Sequence, residues 1–195
     1  DYTKLYPYDP EKAKQMLDEA GYQPGPDGVR LRLRLVYDTA KAGFQPFANI
    51  IRDNLKDVGI EVTLVGLERQ VMLDQVFKRH DFDITIQGYT TSGDPTAGVQ
   101  RLYVTSSIGT NPFNNASAYS NPVVDELFEK GATAPTIEER AKYFHQVQEI
   151  LAEDVPSLTL IQRGSADIAR ANVKGLWTSN RYYLDYYWEN VWIDE

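Results

Sequence analysis

Leu31-Arg32-Leu33-Arg34-Leu35-Val36-Tyr37 carries the clearest hydrophobic pattern in the chain. Leucine alternates with arginine at its start, the period-two pattern of a strand with one buried face and basic residues on the other. Downstream, Phe44 to about Val58 carries Phe47, Ile50, Ile51, Leu55 and Val58 at helical spacing, and Gly59 closes it. Ile60-Glu61-Val62-Thr63-Leu64-Val65 alternates as a second strand. Glu68 to about Arg79 reads as a helix through Val71, Met72, Leu73 and Val76, and Phe82-Asp83-Ile84-Thr85-Ile86 as a third strand. The order is βαβαβ, an α/β class fold whose strands are expected to be parallel with right-handed crossovers. Ligands of such sheets collect outside the carboxyl ends of the strands, so chemistry is expected after Ile86.

Upstream, Asp9-Pro10 precedes Glu11 to Ala20 and then Gly21, which places an N-cap acid, a proline at the first helical position and a C′ glycine. Ala13, Met16, Leu17 and Ala20 form its apolar stripe. Downstream, periodicity fails from Gln87 to Asn121 apart from a short helix expected near Pro95 to Tyr103. A long irregular segment inside a compact domain is more often functional than decorative. Asn121-Pro122 then starts a helix to about Lys130. Thr136-Ile137-Glu138-Glu139 is a capping box opening a longer one to Glu153, with Ala141, Phe144, Val147, Gln148 and Leu151 along one side. Leu158-Thr159-Leu160-Ile161 reads as a buried strand. The aromatic tail, with Tyr182-Tyr183 and Tyr186-Tyr187-Trp188, suggests docking on another domain.

Composition narrows the function classes. Twenty Lys and Arg against 28 Asp and Glu give a net charge of −8, with no basic run, which argues against a nucleic-acid partner. With no cysteine, thiolate zinc sites, iron–sulfur clusters and a cysteine nucleophile are excluded. No phosphate-cradling glycine loop and no Gly-x-Ser-x-Gly elbow occurs. His80 and His145 stand far apart outside any metal motif, and His80 is placed to bond the last carbonyls of its helix. No metal ligand or cofactor is assigned. Asp81 and Asp83 share a strand face, but at the amino end, opposite to where ligands collect. Asp94 lies after the third strand, where Asp94-Pro95-Thr96 also reads as an N-cap with proline at N1. Asn115-Ala116-Ser117 matches the glycosylation acceptor pattern, a short match that is common by chance. Tyr89, Tyr103, Phe113 and Tyr119 put aromatic surface into the irregular segment, which suits sugar rings or peptide side chains.

Read together, these segments resemble a known family. Tyr6-Pro7-Tyr8-Asp9-Pro10-Glu11-Lys12-Ala13-Lys14-Gln15-Met16-Leu17-Asp18-Glu19-Ala20-Gly21-Tyr22 is similar to the opening of the carboxyl-terminal lobe in the bacterial extracellular solute-binding proteins of family 5, the peptide/nickel/opine type serving ABC importers. Leu55 to Val62, Phe82-Asp83-Ile84, Gly88-Tyr89, Asp94-Pro95, Asn114, Tyr119-Ser120-Asn121-Pro122, Asp125, Glu139-Arg140 and Gln148 to Pro156 match in order. The resemblance implies a type II periplasmic binding protein lobe with a mostly parallel sheet flanked by helices. It implies that residues 1–162 form the second ligand-binding lobe, that 163–195 return to an amino-terminal lobe absent here, and that Asp1 is a cut inside a longer protein.

Partners implied by the resemblance are a small-molecule or peptide ligand, that amino-terminal lobe and the permease subunits of an ABC importer. The implied location is periplasmic, or extracellular and lipoprotein-tethered in a Gram-positive source. Ligand closure by a hinge and no catalysis are expected. Peptide-binding members carry Gly-Trp-x-x-Asp after the third strand, the acid pairing with the peptide's amino terminus. The matching run here is Gly88-Tyr89-Thr90-Thr91-Ser92, with a hydroxyl where the acid stands. A hydroxyl cannot supply that charge-assisted bond, which leaves room for sugars, opines or other polar solutes. Gln87, Gly88, Tyr89, Thr90, Thr91, Ser92 and Asp94 are therefore the expected cleft wall, with Gln70 and Asn114 as neighbours. Two other readings are a carboxylate-dependent glycoside hydrolase using Asp83 and Asp94, and a solute-sensing regulatory domain.

Overall fold

Residues 4–91, 93–109, 111–162, 168–176 and 188–194 are described by the structure, a computed structural model. The chain divides into two compact units, one made of residues 1–89 and 102–122, the other of 90–101 and 123–195. The lobe boundary expected near residue 162 falls inside the second unit. Ser92, residues 163–167 and the aromatic run Tyr182 to Tyr187 lie outside the described residues.

The first unit begins with helix α1 (Pro10–Glu19). Asp9 caps it as its sequence demands, its carboxylate accepting from Lys12 N at 2.9 Å. Gly21, at φ +88°, ends it with paired bonds from Gly21 N to Asp18 O and from Tyr22 N to Leu17 O. Strand β1 (Leu31–Asp38) is central in a three-stranded sheet of order β2-β1-β3, where β2 spans Ile60–Leu67 and β3 Ile84–Thr85. Both pairings are parallel, as the βαβαβ reading requires. Helix α2 (Phe44–Lys56) joins the first two strands, and α3 (Arg69–Leu73) follows β2.

One face of β1 presents Leu31, Leu33, Leu35 and Tyr37 to a core made with Ala48, Val58, Ile60, Val62 and Ile86, on which Ala13, Leu17, Phe44, Phe47, Ile51 and Leu55 pack. Ile50, expected on the inner face of α2, is exposed, as is Met16 of the α1 stripe. The other face of β1 changes character along the strand. Arg32 and Arg34 are solvated and ion-paired, Arg32 with Asp27 and Glu61, Arg34 with Asp81 and Asp83. Beyond them Val36 is buried in a second core with Met72, Val76 and Phe77. The basic-face reading thus holds for only the first half of the strand.

The helix expected over 68–79 is α-helical only to Leu73 and then widens into a π turn (Asp74–Lys78), closed by Arg79 N donating to Asp74 O at 3.0 Å. The widened turn brings Phe77 inward beside Val76, while Val71, in the α-helical turn before it, is exposed. His80 follows at φ +50°. Its Nδ1 lies 3.0 Å from Ala116 O, to which it donates, rather than bonding the last carbonyls of its own helix. The left-handed turn sends the ring toward that loop.

In the second unit, Asp94 caps the short helix α4 (Pro95–Gly98). Helices α5 (Pro122–Thr133) and α6 (Ile137–Asp154) pack through Phe128 and Phe144, ring centroids 6.1 Å apart. Thr136 caps α6, accepting from Glu139 N at 3.2 Å. Gly131 lies under Phe144, where a Cβ would sit 2.6 Å from the ring, so the helices approach closely only because side chain is lacking. On α6, Ala141, Phe144, Val147 and Leu151 turn inward while Gln148 is exposed. The strand expected at Leu158 to Ile161 is absent: these residues are irregular, and Leu158 is 72% exposed. An apolar run becomes a strand only beside an edge that offers hydrogen bonds. Among the described residues the only strands in this unit are β4 (Val173–Lys174) and β5 (Trp192–Ile193), paired antiparallel.

Candidate functional site

All three parallel strands end on the same edge of the sheet: β1 at Asp38, β2 at Leu67, β3 at Thr85. Gln87 stands two residues past β3 and is half-buried. Its Nε2 donates to Thr85 Oγ1 at 2.8 Å and reaches Met72 Sδ at 3.4 Å. Thr85 Oγ1 in turn donates to Val36 O at 3.0 Å. This chain fixes the amide against the sheet and leaves its oxygen without a bond among the described residues.

Gly88 is exposed, and an added Cβ would meet only the Phe44 ring, at an ordinary 3.8 Å. Packing does not demand glycine there; close approach of a ligand to the backbone would. Tyr89 is partly buried and belongs to the same unit, as do Gln70, exposed in the first turn of α3, and Asn114, partly buried in the irregular segment. Thr90, Thr91 and Asp94 belong to the second unit, the two threonines exposed. Ser92, the residue on which the ligand class was expected to turn, is outside the described residues.

Asp94 is fully engaged inside its own unit. Oδ1 accepts from Thr96 N at 2.9 Å and Thr96 Oγ1 at 2.6 Å, and the Arg140 guanidinium bonds both oxygens at 2.9 and 2.8 Å. Arg140 Nε donates to Gly131 O at 3.1 Å, so one arginine joins the α4 cap to α5. The Thr96 bonds, then Arg140, hold the Asp94 carboxyl below its ordinary value. Asp83 is held down likewise, first by the Arg34 backbone N–H at 2.7 Å and then by its side chain. Two carboxyls fixed in the ionised form supply no general acid at neutral pH, and Asp83 stands at the amino end of β3. The hydrolase reading has no support in this geometry.

Two residues that the sequence did not single out meet at the carboxyl edge. Asp38, 1% exposed, accepts from Arg69 at 3.3 Å, and the Arg69 guanidinium carbon lies 5.3 Å from the centre of the Phe113 ring. Asp38 ends an alternating strand and Arg69 begins a helix, so nothing local marked them as partners. Asn115, read from sequence only as part of a glycosylation pattern, has a structural role in the irregular segment. It is 1% exposed, donates from Nδ2 to Val104 O and Tyr119 O, and accepts at Oδ1 from Tyr119 N and Ser117 Oγ. It pins the irregular segment, and its amide nitrogen is not presented to solvent for glycan attachment. Among the described residues no cluster of His, Asp and Glu could hold a metal ion, and no helix is long and apolar enough to cross a membrane.

Residues 1–111 match the family model described as bacterial extracellular solute-binding proteins, family 5, middle. This chain belongs to that family. Protein XP55 of Streptomyces lividans is 30% identical over 161 residues, covering 80% of this chain and 29% of that protein. The peptide transport periplasmic protein SapA of Salmonella typhimurium is 25% identical over 179 residues, covering 89% of this chain and 31% of SapA. Among solved structures, the oligopeptide-binding protein AppA of Bacillus subtilis, in complex with a nonapeptide, superposes with a TM-score of 0.66 at 25% identity, covering 76% of this chain and 30% of AppA. The family's type II periplasmic-binding-protein architecture accords with the α/β parallel sheet seen here. The chain therefore spans about a third of the length of the relatives it matches.

Proposed function

We propose that this chain is the second lobe of a solute-binding protein that captures a small polar solute between two lobes outside the cytoplasmic membrane and delivers it to the permease of an ABC importer. It binds and releases; it does not catalyse. In this reading residues 1–162 form the lobe and 163–195 return to an amino-terminal lobe. Gln87, Gly88, Tyr89, Thr90, Thr91 and Ser92 form one wall of the cleft, with Gln70 and Asn114 beside it. Asp94 shapes that loop through its cap and its Arg140 clamp rather than touching solute. The observation that carries the reading is Gly88, exposed just past the carboxyl end of a parallel strand, where the fold itself has room for a Cβ. Capture follows from preferential binding to the closed state, which shifts the open–closed equilibrium.

The name of SapA speaks of peptide transport and AppA was solved with a nonapeptide, which favours an oligopeptide-like solute. Ser92 in place of the family's acid favours one without a free amine, such as a sugar or an opine. The test is native mass spectrometry of the two-lobed protein purified from its host. A retained solute is expected, and Gly88→Ala should lose it while melting at the same temperature. A protein that retains no solute, and that no solute stabilises, would overturn the proposal.

A further inference from the structure

The second face of β1 ends in a charge that the sheet does not need. Asp38 is 1% exposed. Its Oδ1 is satisfied locally by Ala40 N at 2.9 Å and its Oδ2 by Nη1 of Arg69 at 3.3 Å. A buried carboxylate is costly unless paired, so this geometry holds only with Arg69 in place. Arg69 is itself 47% exposed, and its guanidinium carbon lies over the Phe113 ring, 5.3 Å from the centroid. That ring is fixed in turn by Phe77, centroids 5.4 Å apart, in the second core. The guanidinium is thus clipped at Nη1 and backed by an aromatic face. Its other edge, the parallel Nε and Nη2 donors, makes no hydrogen bond among the described residues.

Neutralising Asp38 alone would not require that arrangement; a lysine on a flexible stem also supplies a positive charge. A planar fork held on one side with the other edge open matches the two oxygens of a carboxylate. Its place supports this. Arg69 follows directly on β2, and β1 and β2 end in register at Asp38 and Leu67, on the edge where Gln87 stands. Met72, three residues along α3, is the sulfur that Gln87 Nε2 reaches.

We infer that Arg69 is the specificity residue that receives a carboxylate of the solute, with Asp38 as its positioning residue. The inference rests on the solute-capture reading and narrows it to carboxylate-bearing solutes. The test uses the two-lobed protein and thermal-shift titration with five kinds of probe: N-acetyl di- and tripeptides, the same peptides as C-terminal carboxamides, small dicarboxylates, inorganic phosphate and a neutral disaccharide. Wild type should bind a carboxylate probe at least about tenfold more tightly than its carboxamide or neutral counterpart, the scale of one charge-assisted bidentate contact. Arg69→Gln should bring that ratio to about one, Arg69→Lys should keep part of it, and Asp38→Asn should shrink it. The ratio is the decisive readout, because a purely structural arginine would alter melting temperature without altering discrimination. Should Arg69→Gln fail to fold, Arg69→Lys carries the test, and full wild-type discrimination in it overturns the inference.

Equal binding of carboxylate and carboxamide by wild type overturns it too, as does an unchanged ratio in Arg69→Gln. Preference for phosphate or the disaccharide over every carboxylate does the same, while leaving solute capture standing. If no probe stabilises the wild type, the carboxylate assignment fails. Solute capture fails with it only when mass spectrometry also finds no retained solute.

Discussion

The two compact units are held together by different means. In the first, β1 is buried on both faces over its second half, with Leu35 and Val36 both at 0% exposure in separate cores. Its long loop is pinned by one buried asparagine. In the second, α5 and α6 bury Val124, Leu127, Phe128, Phe144 and Val147, Phe128 and Phe144 meeting beside a glycine, and polar ties reached by solvent are added by the Thr136 cap and the Arg140 clamp on Asp94. Mutational cost should therefore concentrate in β1. Burial on two faces makes a strand intolerant of lost volume, whereas polar ties reached by solvent are individually weak.

Leu35→Ala should have the largest effect, about 3 kcal/mol, because a fully buried leucine between sheet and helix leaves a cavity. Urea denaturation gives the loss, and hydrogen exchange should show it in β1 and β2 amides rather than in α5 and α6. Equal loosening of both units would break the contrast. Next comes Asn115→Ala, about 2 kcal/mol, because deleting a fully buried amide removes its bonds to Val104 O, Tyr119 O and Tyr119 N at once. Exchange of the Tyr119 amide should rise most; a slow, wild-type rate there would count against the pin.

Asp94→Asn should be the smallest, below about 1 kcal/mol, since the carboxylate is 42% exposed, solvent screens it and asparagine still caps the helix. The Asp94 carboxyl is depressed in the folded protein, so its contribution is complete above the unfolded value of about 3.9 and is lost as pH falls through the lower folded value. Stability of wild type minus Asp94→Asn should be positive at pH 7 and vanish in stronger acid. Asp83, also depressed, titrates in both proteins and cancels in the difference. A gap independent of pH would mean the clamp does not act through charge.

Much of the fold was legible because it is written locally. The Asp9 and Thr136 caps, the Gly21 and Gly59 stops and the period-two runs each depend on residues a few positions apart, and they stand where expected. The failures share a cause. Leu158 to Ile161 has a strand's composition, but a strand also needs a neighbour that sequence does not name. The helix over 68–79 kept its place and lost its period, because a π turn shifts which residues face inward. Of the residues expected at the cleft, Gln87 and Gly88 stand at the carboxyl edge, a position legible because they follow a strand end. Asn115 was seen only as a glycosylation pattern, since its four bonds close a loop that has no period.

By itself the sequence determined the α/β class, the parallel order of strands and the edge on which ligands should gather, because hydrophobic period and chain direction carry that information. Only the tertiary structure decided what stands on that edge. Asp38 and Arg69 are 31 positions apart, and neither is unusual in its own segment. They become a buried carboxylate and an oriented guanidinium only when α3 crosses the second face of β1 and the Phe113 loop closes over it. Burial and charge pairing belong to the packed molecule, and no local spacing encodes them.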